Sequence, residues 1–286
     1  PTDTGSDNVY NVTVQVSDGA GGTTTQSIAV TVTPVNDNTP VITSGATANV
    51  AENSTAVMTV TATDADQPAQ TLTYSIVGGA DAAKFSINSS TGALSFVTAP
   101  NYEAPTDSGA NNVYDVTVQA TDGTLSSTKA IAVTVTAVND NTPVITSGAT
   151  ASVAENTTAV MTVTATDADQ PAQTLTYSIV GGADAAKFSI NSSTGALSFL
   201  TAPDYEAPTD AGANNVYDVT VQASDGTLSS TKAIAVTVTA VNDNTPVITS
   251  GATASVAENT TTVMTVTASD ADQPAQTLTY SIVGGA

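Results

Sequence analysis

The hexapeptide Val35-Asn36-Asp37-Asn38-Thr39-Pro40 recurs unchanged as Val138–Pro143 and Val241–Pro246, at a spacing of 103 residues both times. A period of that length decides the architecture, because repeated units of fixed size mark an array of like domains. Residues 39–141 and 142–244 differ at six positions: Asn49/Ser152, Ser54/Thr157, Val97/Leu200, Asn101/Asp204, Ser108/Ala211 and Thr121/Ser224. Residues 1–38 match the end of the unit, with one extra residue in the turn at Asp18–Gly22, and residues 245–286 match its beginning. The expectation is two complete repeats, 39–141 and 142–244, flanked by two partial ones, in a piece of a longer protein.

Within the first complete repeat, seven strands are expected. Strand A lies around Val41–Ile42 and continues near Ala48–Val50; B is Val57–Ala62, C is Leu72–Val77 and D is Phe85–Ile87. E is Ala93–Val97, F is Val113–Ala120 and G is Lys129–Thr136. Tyr114, Val116 and Val118 alternate with Asp115, Thr117 and Gln119, the period of two that a half-buried strand requires. Turn formers such as Asn88–Gly92 and Asp122-Gly123 separate the strands. Seven short strands in about 100 residues suit an all-β, immunoglobulin-like Greek-key sandwich. By the same alignment, residues 1–38 should supply F and G, and residues 245–286 should supply A, B and C.

Composition narrows the function. The chain has 26 acids against 4 bases, a net charge of −22, with no cysteine, histidine or tryptophan. Four lysines cannot neutralise a nucleic-acid backbone or an anionic membrane. Disulfides, thiolate metal sites and the commonest general base are excluded as well. A non-enzymatic binding or structural protein is expected.

Strand parity then places the acids. An odd number of antiparallel strands brings the chain in at one pole and out at the other, so repeats should stack end to end as a rod. The lower pole would carry Glu52 from the A–B loop, Glu103 from the E–F loop and Asn139-Asp140-Asn141 from the linker; the upper pole would carry Asp64, Asp66 and Asp122. Corresponding residues of the next repeat are Glu155, Asp167, Asp169, Asp204, Glu206 and Asp225, with linkers Asn36-Asp37-Asn38 and Asn242-Asp243-Asn244 and a last pair Asp270 and Asp272. Like charges gathered this closely repel. Hard oxygen ligands in that number suit calcium, which takes about six to eight. Turn propensity accounts for Asp122-Gly123, but glutamate forms no turns, so Glu52 and Glu103 need another explanation.

These motifs, taken in order, resemble the cadherin repeat, of the long tandem kind found in bacterial surface and secreted adhesins. Ala51-Glu52-Asn53 resembles the family's first-strand glutamate motif, and Asp64-Ala65-Asp66 its Asp-x-Asp motif. Phe85–Asn88 with Thr91–Leu94 resembles its central hairpin, and Asp204-Tyr205-Glu206 its Asp-x-Glu motif. Val118–Gly123 resembles the late aspartate motif, and Asn139–Pro143 the linker. The resemblance implies up to three calcium ions at each junction. Two would use Glu52, Glu103, Asp140 and Asp169; the third would use the Asn139 side chain, the Asn141 backbone oxygen, Asp167, Asp169, Asp225 and a carbonyl near Gln173. Asn101 stands where the family has aspartate, which should weaken that outermost site, and the segment Ala104–Asn112 is longer than in animal relatives. The function implied is a calcium-rigidified extension module of an extracellular adhesin, with calcium, adjacent repeats and a surface protein or polysaccharide as partners. An alternative is a carbohydrate- or protein-binding module of an exoenzyme or matrix protein, for which no exposed aromatic row can be read.

Overall fold

A computed structural model of the chain describes residues 2–285, and these fall into two units that divide after Val138. In the first unit a hairpin of β1 (Val9–Ser17) and β2 (Thr23–Thr31) precedes a sandwich. The sandwich consists of β3 (Val41–Ile42), β4 (Thr47–Ala51), β5 (Ala56–Thr59), β6 (Ala62–Thr63), β7 (Thr73–Gly78), β8 (Phe85–Ile87), β9 (Ala93–Phe96), β10 (Val113–Thr121) and β11 (Ser126–Thr136). One sheet runs β4-β11-β10-β7 and the other β5-β9-β8, with β3 paired to β6. The second unit repeats this order from Val144–Ile145 to Ser229–Thr239. The all-β sandwich expected from the sequence is therefore present in both complete copies. Among the described residues no helix is long and apolar enough to cross a membrane.

Three departures refine the strand reading. Strand A is split: β3 pairs antiparallel with β6, then the chain crosses and β4 pairs parallel with β11. The all-antiparallel expectation is corrected here; with an odd number of strands the first and last run the same way, so they can meet only in parallel. Strand B is likewise broken into β5 and β6. In residues 245–285 only Val247–Ile248 and Ala268–Ser269 form strands, whereas A, B and C were expected. In the complete copies strand C (β7) hydrogen-bonds to strand F (β10), and residues 245–285 contain no F to pair with.

The core follows from the alternation in β10 and β11. Tyr114, Val116, Val118 and Ala120 cluster with Ile131, Val133 and Val135, with Phe85, Leu94 and Phe96 of the other sheet and with Val60 just after β5. The Tyr114 ring meets Phe96 edge to face, with centroids 5.1 Å apart, and its hydroxyl accepts the Thr106 N–H at 3.1 Å. In the β1–β2 hairpin the counterparts Val12, Val14 and Val16 are exposed, because residues 1–38 hold no opposing sheet.

The turn before β9 depends on Gly92. Its φ is +72°, its carbonyl accepts the Val60 N–H at 2.8 Å, and a Cβ there would lie 2.1 Å from the Val60 carbonyl oxygen. Both the left-handed backbone and the clash with main chain penalise any side chain. Gly92→Ala is expected to destabilise the first sandwich by at least about 1–3 kcal/mol, read as a lower urea midpoint with an unchanged slope. An unchanged midpoint would refute this account of the turn.

Candidate metal centre

The carboxylates group at the loops, held there by backbone donors. In the first unit Glu52 is 2% exposed and spans two segments: one oxygen accepts the Tyr102 N–H and the other the Val138 N–H, both at 2.7 Å. In the second unit Glu155 does the same with Tyr205 at 2.7 Å and Val241 at 2.6 Å. Oxygens of Glu155, Glu206 and Asp243 lie within 4.8 Å of one another. Glu206 also accepts the Gln273 N–H at 3.0 Å, and Asn156 donates to Asp243 at 2.6 Å.

A second kind of group sits at the opposite loops. Oxygens of Asp64, Asp66 and Asp122 lie within 4.8 Å of one another, and so do those of Asp167, Asp169 and Asp225. Asp66, 4% exposed, accepts the Asn38 amide at 2.5 Å and the backbone N–H groups of Asn38 at 3.0 Å and Asp37 at 3.2 Å. Asn141 binds Asp169 in the same way, its side-chain amide donating at 2.7 Å. In the last copy Asn244 donates to Asp272 at 2.9 Å, and Asp270 Oδ1 accepts the Asp272 N–H at 3.2 Å. Asp122 Oδ1 accepts Thr124 and Leu125 N–H groups in its own turn, so both turn former and cluster member are roles of one side chain.

These contacts keep the acids ionised. The Asn38 amide above all holds the Asp66 carboxyl below the usual carboxylate range, and the Asn244 amide does so for Asp272. For Asp122 the Thr124 N–H is the leading cause of the lowering. Burial pushes Asp169 and Asp225 up but is outweighed, at Asp169 by the Asn141 donors and at Asp225 by the Thr227 and Leu228 N–H groups. At Asp66, Asp122, Asp169 and Asp225 the surroundings therefore favour the charged form where carboxylates crowd together.

Several buried oxygens in these groups lack donors. Asp64 Oδ2, Asp167 Oδ2, Asp225 Oδ2, Glu206 Oε2 and Asn139 Oδ1 are buried without a hydrogen-bond partner. In the first unit the Asn36 amide meets part of this group, donating to Asp122 at 3.0 Å and Asp66 at 3.2 Å when its nitrogen is turned inward. Native interiors rarely leave buried acceptors unmet, and a collection of hard oxygens without donors fits a divalent cation such as calcium.

Three expected ligands behave differently. Asp204 is not part of the Glu155–Glu206–Asp243 group; its Oδ1 closes a turn by accepting the Glu206 N–H at 2.9 Å and the Ala207 N–H at 3.1 Å. Its counterpart Asn101 makes a similar turn with the Ala104 N–H at 2.9 Å. Asp37 accepts the Asn38 side-chain amide at 3.1 Å, and Asn242 donates to Gln276 at 2.8 Å.

Four buried acids escaped the sequence reading because nothing in their neighbours marks them: Asp81, Asp107, Asp184 and Asp210. Asp107 accepts N–H groups of Gly109, Asn111 and Asn112, and so shapes the long segment before β10. Asp81 ties that segment down, accepting Ser108 N–H at 2.7 Å and Asp115 N–H at 2.9 Å. Their oxygens are occupied by backbone donors, which makes them structural.

Comparison with known proteins agrees with this geometry. Residues 46–136 and 149–239 match the family described as Cadherin domain. Protocadherin Fat 1 of Homo sapiens is 36% identical over 309 residues, covering 100% of this chain and 6% of that protein. Cadherin-23 of Mus musculus is 34% identical over 240 residues, covering 77% of this chain and 7% of its own. The chain thus spans only 6–7% of the length of these relatives. Among solved structures, protocadherin gammaB7 EC3-6 aligns with a TM-score of 0.60 at 27% identity, over 95% of this chain and 70% of that one. Mouse Cadherin-23 EC22-24 aligns at 0.54 and 27%, over 83% and 76%.

Proposed function

This chain belongs to the cadherin family, whose domains are calcium-dependent cell-adhesion modules, and from that premise we propose that it is a calcium-rigidified extension segment of a large extracellular adhesin. The observation that carries the reading is the set of buried, donorless oxygens on Asp64, Asp167, Asp225, Glu206 and Asn139. In this reading the ligands are the residues of the three linkers 36–38, 139–141 and 242–244 with Glu52, Glu103, Glu155 and Glu206 and the aspartates 64, 66, 122, 167, 169, 225, 270 and 272. The repeat units are 39–141 and 142–244. Up to three ions at each junction would offset the repulsion between carboxylates and stiffen the linkers, so that the repeats project a distal binding domain from a surface.

The protein works outside the cell, where calcium is near millimolar and matches the weak end of the calcium-site range. Neighbouring repeats, together with a surface protein or polysaccharide engaged elsewhere in the parent protein, are its partners, and it catalyses nothing. The parent proposed here is a bacterial surface or secreted adhesin, while the relatives reported above are animal proteins.

Small-angle scattering of the full chain tests the mechanical part. Saturating calcium should lengthen the maximum particle dimension relative to chelator, and calorimetric titration should show several ions bound. Identical scattering curves in calcium and chelator would sink the rigidification reading.

A further inference from the structure

The pattern Asn-x-Ser/Thr, without a central proline, stands twice in each complete repeat: at Asn53-Ser54-Thr55 and Asn88-Ser89-Ser90, and at Asn156-Thr157-Thr158 and Asn191-Ser192-Ser193. N-glycosyltransferases read this pattern in exported chains, and it matters only where the asparagine nitrogen can be reached. In a chain rich in serine and threonine such matches also arise by chance, so the four sites need a structural distinction.

Asn88 closes the turn between β8 and β9. Its Oδ1 accepts the N–H groups of Ser90 and Thr91, both at 3.0 Å. Its backbone N–H donates to the Ala93 carbonyl and its own carbonyl accepts the Gly92 N–H, both at 2.9 Å. Asn191 repeats the arrangement with Ser193 and Thr194, both at 3.0 Å. Residues 88–91 and 191–194 are all exposed. Two main-chain donors hold the amide oxygen, as in an Asx turn, which sets the amide plane with Nδ2 on its free side. Among the described residues the Asn88 and Asn191 side-chain nitrogens have no hydrogen-bond partner.

The other pair is placed differently. Asn156 has a left-handed backbone, φ +62°, and its Nδ2 donates to Asp243 Oδ2 at 2.6 Å, within the group of Glu155, Glu206 and Asp243. Asn53 shares that backbone, φ +61°, next to the buried Glu52. A sugar on Asn156 would have to be attached at the atom that already serves an acid.

We propose that Asn88 and Asn191 are acceptors for an N-linked sugar, one on the same turn of each complete repeat, and that Asn156 is not. In the transfer, Nδ2 forms a bond to the anomeric carbon of a sugar carried on a nucleotide or lipid diphosphate. The bond from that carbon to the diphosphate oxygen breaks, the diphosphate leaves with the electron pair, and one amide proton passes to a base of the transferase. The product keeps its carbonyl oxygen and one N–H, so the bonds from Ser90 and Thr91 persist and the turn stays closed. The inference is independent of the calcium reading.

The test offers the full chain both kinds of donor. In one arm the folded chain is treated with UDP-glucose and a soluble N-glucosyltransferase that reads Asn-x-Ser/Thr; in the other the chain is secreted from a eukaryotic cell line, which supplies a lipid-linked oligosaccharide. Peptide mass mapping after cleavage at the acidic residues reads each site, with amidase release in heavy-oxygen water marking occupied asparagines in the second arm. A sugar on both Asn88 and Asn191 in either arm is the expected result, and the arm that gives it identifies the donor. On the folded chain Asn156 should carry none, and Asp243→Ala should let it be modified. Bare Asn88 and Asn191 in both arms, beside a modified control peptide of the same pattern, overturn the proposal. So does modification of Asn156 on the folded, unaltered chain to the same extent as Asn191.

Discussion

Chelating calcium is expected to lower the thermal midpoint of this chain by 10 °C or more. The reasoning is mass action on groups whose charges have no other partner. A ligand that binds only the folded state stabilises it by RT ln(1 + [L]/Kd), about 1.4 kcal/mol per ion at calcium tenfold above Kd. For a domain of about 100 residues each kcal/mol moves the midpoint by about 4–8 °C, and each complete repeat contributes more than one acidic group. Without the ion the same residues work against folding, since Asp167, Asp169 and Asp225 bring their oxygens within 4.8 Å of one another and like charges that close repel. Magnesium should replace calcium poorly, because it demands compact octahedral geometry and holds its waters. Scanning calorimetry in calcium, magnesium and chelator measures all three conditions. A midpoint that ignores calcium would remove the ion from the account of these clusters.

Replacing Glu155 by alanine should cost stability whether or not calcium is present, which sets it apart from its neighbours. Its two oxygens are the acceptors for the Tyr205 and Val241 N–H groups, and the side chain is 3% exposed. Leaving those donors unmet costs about 1–3 kcal/mol each, to which calcium adds the loss of a ligand. Asp225→Asn should behave in the opposite way. Asparagine retains the Oδ1 that accepts Thr227 at 2.6 Å and Leu228 at 2.7 Å, so the turn survives, and one charge leaves a crowded group. In chelator Asp225→Asn should match or slightly exceed the parent's stability, and in calcium it should lose about 1.4 kcal/mol for a tenfold weaker site. Denaturant unfolding of both variants in each condition decides the matter. Equal losses for Asp225→Asn in calcium and chelator would make that aspartate purely structural, and a Glu155→Ala loss confined to calcium would make that glutamate purely a ligand.

The repeat, the sandwich and most of the acidic constellation follow from sequence, because they depend on local order. A 103-residue period sets the unit, alternation in Tyr114–Ala120 and Ile131–Val135 sets the buried faces, and Asp122-Gly123 sets a turn. Parity of strand number foretells that the first and last strands run alike, as β4 and β11 do. Which atoms are satisfied depends instead on distances between segments remote in sequence. Glu52 reaches Tyr102 and Val138, 50 and 86 residues away. Asp204 spends an oxygen on its own turn although its motif marks it as a ligand. Asp81 and Asp107 are buried by a loop whose course they themselves direct. The three identical B–C loops make the division plain. Sequence determines that each glutamine sits four residues after an aspartate; only tertiary structure decides which group it meets, as where Gln276 accepts the Asn242 amide at 2.8 Å. The physical reason is that hydrogen bonding and cation binding compete for the same lone pairs, and the winner is set by which groups the fold brings within reach.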